Sequence, residues 1–382
     1  MLDRWDDVVN ALALGAPCAV ATVIRTSGSV PRPAGTSMVV AGSGEVWGSL
    51  TGGCVEAAVL ESSLEAIAAG RPRTESFGYS DGDALAAGLS CGGSLEVHLQ
   101  PLQPGTFLPG PAPAALLRRL DGVRTLDGGG EPVPAQPVPV QPGVPLAAAL
   151  HTLFPAAAPA DLSRLASRVE PLLDAGHTGV VTGGESRGCA GELFLECRAE
   201  SPRLYLLGAN DYSAALSRMG AVLGYRTTVV DARPAFTNPH RFPDADVVIQ
   251  WPHELLRAEH LAGRLDARSV VCLTSHDAKF DIPALAAALD SAAGYVGAMG
   301  SRRTHQRRLN ELRAAGVAEP ALARLHSPIG LDIGAHTPEE VALSVFAEVT
   351  AARHSGSTGL PLSGLSGPIH ASPRPLNHLT VC

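Results

Sequence analysis

The sequence predicts an α/β protein in two parts: a small α+β N-terminal domain and a C-terminal doubly wound parallel sheet. Three observations carry this. From Arg203 onward, short apolar strands alternate with helical segments. The first of those strands runs into Gly208 and the second ends at Asp231, 23 positions later, which are the places held in a dinucleotide-binding fingerprint. Before residue 200 the order differs, with strands, a hairpin and single helices separated by loops rich in glycine and proline.

Within the first part, Leu2, Trp5, Val8, Val9 and Leu12 recur at helical spacing over residues 2–14. Cys18 to Arg25 is apolar and β-branched, as a strand should be. The loop from Ser27 to Gly35 is punctuated by Gly28, Pro31 and Pro33 and is too long for a hairpin turn. A hairpin follows, with Ser37 to Val40 and Glu45 to Trp47 flanking the turn at 41–44. Val55, Val59, Leu60, Leu64 and Ile67, in an alanine-rich background, predict a helix over 54–69. Ser94 to Leu99 reads as a strand. Residues 101–159 shift to Pro, Ala, Gly and Val, with Pro132, Pro134, Pro137 and Pro139 close together. Such a segment is expected to run as extended loop or short edge strands and not as sheet interior. Leu162 to Leu173 then reads as a helix, and Gly179–Thr182 and Glu192–Cys197 as strands that rejoin the first domain.

In the second part, Leu204 to Leu207, Thr227 to Val230, Asp246 to Gln250, Ser269 to Leu273 and Tyr295 to Met299 are the expected strands. The intervening helices are expected to run from the Gly208 loop to about Gly224, then over His253–Arg264, Pro283–Ala292 and Arg303–Ala315. The expected domains are therefore 1–200, with a Pro-rich insertion near 101–159, and 201–354, followed by a tail at 355–382 with no helical period. The fingerprint is incomplete: Asn210 stands where a second glycine would let the backbone approach a pyrophosphate, and Ser213 stands at the third position. The fold signal survives this; the NAD signal does not.

Composition narrows the function classes. A chain of 382 residues, 45% hydrophobic and 17% charged, is long enough for two ordinary domains. A net charge of −8, with no basic stripe interleaved with aromatics, argues against nucleic acid as a partner. Seven cysteines (18, 54, 91, 189, 197, 272 and 382) show no C-x-x-C spacing, which fits a reducing compartment and no zinc knuckle. The start, Met1 to Asp7, is acidic without a signal-peptide core, and no apolar run would span a bilayer. A cytoplasmic protein without membrane partners is expected.

The stretch Gly48-Ser49-Leu50-Thr51-Gly52-Gly53-Cys54-Val55-Glu56 is the most informative. Gly52 and Gly53 would let the backbone fold tightly enough to present N–H groups to a ligand. Cys54, at a helix start, would have its thiolate favoured by the helix end, making it a nucleophile or a metal ligand. The plain alternative is a tight turn holding a small buried cysteine. A second cysteine, Cys91, precedes Gly92, Gly93 and a strand. Ligands of open α/β sheets bind outside the carboxyl ends of the strands, and three clusters fall there. The first is Ser275 to Asp281, containing His276 and Asp277. The second is Gly300-Ser301-Arg302-Arg303, whose N–H groups and guanidinium groups suit a phosphate. The third is Ser327 to Ala335, leading into the capping box Thr337-Pro338-Glu339-Glu340. Competing readings are a mere turn for His276 and Asp277 and a solvated helix start for Arg302 and Arg303. No catalytic residue is assigned.

Taken in order, GSLTGGCVEAAV, the Cys91-Gly92-Gly93 loop, SHDAKFD, YVGAMGSRRTHQRRLNELRAAG and SPIGLDIGAHTPEEVA resemble the XdhC/CoxI family over roughly residues 5 to 355. The resemblance implies an XdhC/CoxI N-terminal domain and a Rossmann-like C-terminal domain. It also implies a non-enzymatic accessory factor that binds molybdenum cofactor (molybdopterin) in transit. Such a factor supports sulfuration of the cofactor and its insertion into an apo molybdenum hydroxylase such as xanthine dehydrogenase or carbon monoxide dehydrogenase. A cysteine desulfurase is a candidate second partner, and a homodimer is the expected assembly. On this reading Gly52, Gly53, Cys54, Cys91, Gly208, His276, Asp277, Arg302 and Arg303 are the cofactor-binding candidates. Cys54 is the candidate metal ligand, and NAD(P) is not expected to bind. Two readings from other classes stay open. An NAD(P)-dependent oxidoreductase would need a working glycine loop and a proton donor, for which only His276 is available. A purely structural assembly factor would bind nothing small.

Overall fold

In the computed structural model of the chain, strand β1 (Cys18–Ser27) is the spine of the first of two units, which spans Met1–Ala199; the second spans Glu200–Leu365. The structure describes residues 1–28, 30, 32–78, 93–105, 112–121, 123–124, 133–134, 136–140, 144–182, 191–198, 200–354 and 357–366. Cys91, Gly92 and residues 367–382 of the tail lie outside the described residues.

β1 pairs antiparallel with β2 (Ser37–Ala41) and β5 (Ser94–Leu102), and β3 (Val46–Gly48) and β4 (Arg73–Gly78) complete a sheet of order β3-β2-β1-β5-β4. The expected hairpin is therefore present. Side chains on β1 alternate between two cores, as the pleat requires. Ala21 and Val23 face Val59 and Ala66 of α2 (Glu56–Ala69), while Cys18 and Val20 pack with Trp5, Val8 and Leu12 of α1 (Trp5–Ala13).

A second sheet joins β6 (Ala115–Arg119), β9 (Val138–Val140), β10 (Gly179–Thr182) and β11 (Glu192–Cys197) in the order β10-β11-β6-β9. A separate two-stranded pair is formed by β7 (Val123–Arg124) and β8 (Val133–Pro134). Helices α3 (Leu146–Leu153) and α4 (Pro159–Asp174) pack on Leu117, Leu193 and Leu195. This corrects the expectation for residues 101–159. β6 is an interior strand with Leu116 and Leu117 fully buried. Its Ala-Leu-Leu-Arg-Arg run carries no proline, so every amide can enter a ladder, whereas the prolines fall on β8 and on the edge strand β9. β10 and β11 lie in the first unit, as expected, where they pair with each other and, through β11, with β6.

A buried polar network runs between the two sheets. Arg118 of β6 donates to Glu196 of β11 at 2.8 Å and to Thr22 of β1 at 3.1 Å, and the Met1 ammonium lies 2.6 Å from the other Glu196 oxygen. Burial alone would raise the Glu196 carboxyl, but the Met1 ammonium and Arg118 outweigh it and hold the group below its usual range. Nearby His98, opposite Thr22 on β5, bonds the Thr74 hydroxyl at 3.1 Å; burial, then the Arg118 charge, push its pKa down to about 3.

The second unit contains β12 (Arg203–Leu207), α5 (Asp211–Val222), β13 (Arg226–Val230), β14 (Ala245–Val248), α6 (Pro252–Leu261) and β15 (Val270–Leu273). It continues through α7 (Ala278–Leu289), β16 (Tyr295–Ala298), α8 (Arg302–Ala314), α9 (Glu319–Leu322), β17 (Leu325–His326) and α10 (Pro338–Arg353). All six strands are parallel, in the order β14-β13-β12-β15-β16-β17, so the chain reverses direction across the sheet between β12 and β15. The doubly wound expectation holds. Leu204 and Leu206 enter one core with Leu216 of α5 and Phe346 of α10, and Tyr205 and Leu207 enter the other with Leu285 of α7 and Leu312 of α8. One helix starts earlier than expected. Asp277 accepts a hydrogen bond from the Lys279 amide and caps α7, so Pro283 lies inside the helix and does not open it.

The low pKa of His98 makes the first unit acid-sensitive. Its folded value of about 3 lies below the ordinary 6.5, so the unfolded chain protonates first. Stability present above pH 6.5 is therefore lost progressively down to about pH 3. In His98→Asn, the dependence of the urea midpoint on pH should flatten across that window, removing an acid loss of up to about 5 kcal/mol.

Candidate functional site

The Gly48–Glu56 loop folds around a carboxylate of its own. Glu56 is the first residue of α2, and its oxygens accept from the amides of Leu50 (3.1 Å), Thr51 (2.8 Å), Gly52 (2.9 Å), Gly53 (2.8 Å) and Val55 (3.2 Å). The hydroxyls of Ser49 (2.7 Å) and Thr51 (2.9 Å) donate to it as well. Gly52 and Gly53 hold φ of +92° and +128°, which side-chain-bearing residues rarely adopt, and that curl aims successive amides at one point. Burial would raise the Glu56 carboxyl; the Thr51 and Gly52 amides and the Ser49 and Thr51 hydroxyls hold it far below the carboxylate range. This corrects the sequence expectation: the Gly52 and Gly53 amides face Glu56, not open ligand space. α2 also begins two residues later than expected, so Cys54 lies outside the helix, just before its Val55 cap. The Cys54 amide donates to the Thr51 hydroxyl at 3.2 Å, and its half-buried side chain packs against the core containing Leu50, Val55 and Val59.

In the second unit, Gly208 (φ +113°) marks the junction of β12 and β15. A Cβ there would lie 3.1 Å from the Ser275 Cβ and amide and from the Thr274 hydroxyl, so the glycine is required by backbone packing. Asn210 caps α5 by accepting from the Ser213 amide at 3.1 Å and donates to the Thr274 carbonyl at 3.0 Å. It thereby fastens the two strands at which the sheet order reverses. Asp231, at the end of β13, accepts from the Ala209 amide (3.0 Å) and from the amide (2.9 Å), Nε (2.9 Å) and Nη2 (2.8 Å) of Arg233. Burial opposes its ionisation, but Arg233 and these amides lower its pKa overall.

The loops after β15 and β16 share one anchor. Arg308 of α8, 1% exposed, donates to Asp281 at 2.8 Å, to the Ser275 carbonyl at 3.2 Å and to the Met299 carbonyl. The Ser275 hydroxyl donates to the other Asp281 oxygen. Sequence reasoning passed over this pair. The available signal was spacing: Arg308 stands four residues before Leu312 on the buried stripe of α8, whereas Arg302, Arg303 and Arg307 lie off it. The anchored loops display the candidates. His276 and Asp277 are exposed, and Asp277 is the α7 cap. Arg302 and Arg303 are exposed in the first turn of α8, beyond the Ser301 cap, and neither has a carboxylate partner among the described residues. The third cluster is held by α10. Glu348 accepts from the Tyr295 hydroxyl (2.5 Å) and the Gly330 amide (2.7 Å) and pairs with His326 at 3.0 Å. The capping box of Thr337 and Glu340 forms as expected. No group of three or more His, Cys, Asp or Glu side chains among the described residues is placed to hold a metal ion. Nor is any described helix long and apolar enough to cross a membrane.

Two family models match the chain: that of the XdhC and CoxI family over residues 11–78 and that of the XdhC Rossmann domain over residues 204–349. Among curated proteins, the uncharacterized protein YqeB of Escherichia coli is 24% identical over 90% of this chain but only 45% of its own length, so the chain spans less than half of that relative. The molybdenum cofactor insertion chaperone PaoD of Escherichia coli is 27% identical over 90% of this chain and 86% of its own. A probable xanthine dehydrogenase subunit of Bacillus subtilis is 28% identical over 87% of this chain and 92% of its own. A crystal structure described as a xanthine dehydrogenase of Bacillus halodurans superposes with a TM-score of 0.59 at 21% identity, covering 94% of this chain and 98% of that one, and shows the fold.

Two substitutions test these assignments. Glu56→Ala leaves the curled amides without an acceptor and should lower the stability of the first unit by about 1–3 kcal/mol in denaturant titration. Added formate should restore part of that loss. Asp281→Asn leaves Arg308 buried without its counter-charge and should cost the second unit about 3–5 kcal/mol, read as a fall in its melting transition.

Proposed function

The chain belongs to the XdhC and CoxI family, and on that premise we propose that it is an accessory factor that binds molybdenum cofactor as cargo. On this proposal it supports sulfuration of the cofactor and its insertion into an apo molybdenum hydroxylase such as xanthine dehydrogenase. The observation that carries this reading is the state of the Gly48–Glu56 loop. The Leu50, Thr51, Gly52, Gly53 and Val55 amides all donate to Glu56, so the loop is not a phosphate cradle, and the soft group it carries is the half-buried Cys54 thiol, which is in no disulfide. A thiolate is a soft ligand suited to molybdenum and to its sulfur ligands. The names of relatives support the same direction, since one is called a molybdenum cofactor insertion chaperone and another is named for xanthine dehydrogenase.

In the second unit, Arg302 and Arg303 at the start of α8, beside the loop of His276 and Asp277, offer cationic groups that favour a negatively charged cargo. Binding of NAD(P) is disfavoured on this proposal. Both Asp231 oxygens are already engaged by Arg233 and the Ala209 amide, leaving no open acceptor for a ribose diol. The start of α5 carries its own carboxylate, Asp211, paired with Arg241 at 2.8 Å. A cysteine desulfurase as sulfur source and a homodimeric assembly complete the proposal.

Purification from a host that makes molybdenum cofactor tests it. Molybdenum and pterin should co-elute with the wild-type chain and fall roughly tenfold or more in Cys54→Ser, with unchanged melting. Retention of NAD(H) or NADP(H) instead, or a full load in Cys54→Ser, would overturn the assignment.

A further inference from the structure

The chain carries 28 arginines and one lysine, Lys279. That single side-chain ammonium stands in the first turn of α7 and is exposed. It has no carboxylate partner among the described residues; its neighbours are rings. Its Nζ lies 5.2 Å from the centre of Trp251 and 5.7 Å from that of Phe280. Trp251 and Phe280 lie against each other, 4.9 Å between centres and inclined at 43°. The Arg233 guanidinium lies 5.8 Å from the centre of Phe280 and 4.5 Å from that of Phe236, and its orientation is fixed by the paired bonds to Asp231. Trp251, Phe280 and Phe236 follow β14, β15 and β13 respectively, so all three rings gather at the carboxyl edge of the sheet.

None of these rings belongs to either hydrophobic cluster of the unit, and Phe236 is 44% exposed. Burying a side chain of this size contributes about 1.5–3 kcal/mol. Only 4% of the sequence is aromatic, so the core had few such groups to spare, and three are held at one open edge. Ring faces and a fixed guanidinium plane attract a flat, polarisable ligand. An ammonium with three free-turning donors is suited to phosphate as a point charge, whereas arginine serves planar bidentate pairing. In doubly wound sheets ligands lie along this edge, near the reversal of strand order.

We propose that Arg233, Trp251, Lys279 and Phe280 form a seat for a phosphorylated planar nitrogen heterocycle, either a pterin phosphate or the base and phosphate of a nucleotide. The rings and the Arg233 guanidinium take the heterocycle, and the Lys279 ammonium takes the phosphate. The pterin arm rests on the cargo reading above; the nucleotide arm does not.

Because Lys279 is the only side-chain amine and the Met1 amine is buried, acylation by a succinimidyl ester, followed by peptide mass mapping, reports on this position. The ligands to test on the full chain are AMP, CMP, GMP and a phosphorylated pterin, against inorganic phosphate and an acidic peptide. At least one heterocyclic phosphate should slow Lys279 acylation fivefold or more. Trp251→Leu should abolish that protection with unchanged melting. By calorimetry, Lys279→Ala should weaken binding tenfold or more, and Lys279→Arg should recover part of it. The proposal falls if no heterocyclic phosphate protects, or if phosphate or the acidic peptide protects equally well. The two readings fail separately. Cofactor co-elution without protection, unaffected by Trp251→Leu, removes the seat and leaves the cargo role. Protection by a nucleotide without any cofactor co-elution removes the cargo role and leaves the seat.

Discussion

The candidate loops of the second unit depend on one buried ion pair, Arg308 with Asp281. Two charges taken out of water are costly unless the donors and acceptors around them are engaged, and here the guanidinium also binds the Ser275 and Met299 carbonyls, with its buried Nε alone lacking a partner among the described residues. The pair therefore does more than join α7 to α8. It fixes the backbone leaving β15 to the backbone leaving β16, and so sets where His276, Asp277, Arg302 and Arg303 emerge. A hydrophobic pair of similar volume could hold the helices together, but it could not hold two carbonyls at defined positions.

The same logic recurs at the other loops. Glu56 gathers the Leu50, Thr51, Gly52, Gly53 and Val55 amides and makes a rigid turn from a segment that glycine would otherwise leave loose. Asn210 and Thr274 fasten β12 to β15, and Glu348 with Ser344 fastens the 327–335 loop to α10. In each case a side chain on a regular element satisfies backbone groups of an irregular one, which is what lets a glycine-rich loop hold one shape. Cys54 precedes the α2 cap, Arg302 and Arg303 lie in the first turn beyond the Ser301 cap, and Lys279 lies among rings outside the core.

The family assignment and this geometry bear on different questions. Matches to both halves of the chain establish the XdhC and CoxI family and the Rossmann domain. The geometry limits which groups remain available to a ligand. It removes the Gly52 and Gly53 amides and the Asp231 carboxylate from that set, and it draws attention to Lys279, which lies in the SHDAKFD motif but was given no role there.

Alternation of strand and helix after Arg203 was enough to determine the doubly wound sheet, because a parallel strand buried on both faces must be continuous in apolar residues and must be followed by a covering helix. The hairpin at 37–48, the α2 helix and the Thr337 capping box were legible for the same reason: each is decided by residues close in sequence. Composition misled at 101–159, where neighbouring prolines hid the proline-free strand β6. Which amides were free could not be read in advance. Gly52 and Gly53 look alike whether they face a ligand or Glu56, and only the folded turn shows that the carboxylate reaches back to them. The pairing of Arg308 with Asp281 spans 27 residues, and the ring cluster gathers Arg233, Trp251 and Lys279 from the ends of three strands. Local sequence sets what each residue can do. Which residues meet is decided by the order of strands in the sheet, because that order alone brings distant chain segments to one edge.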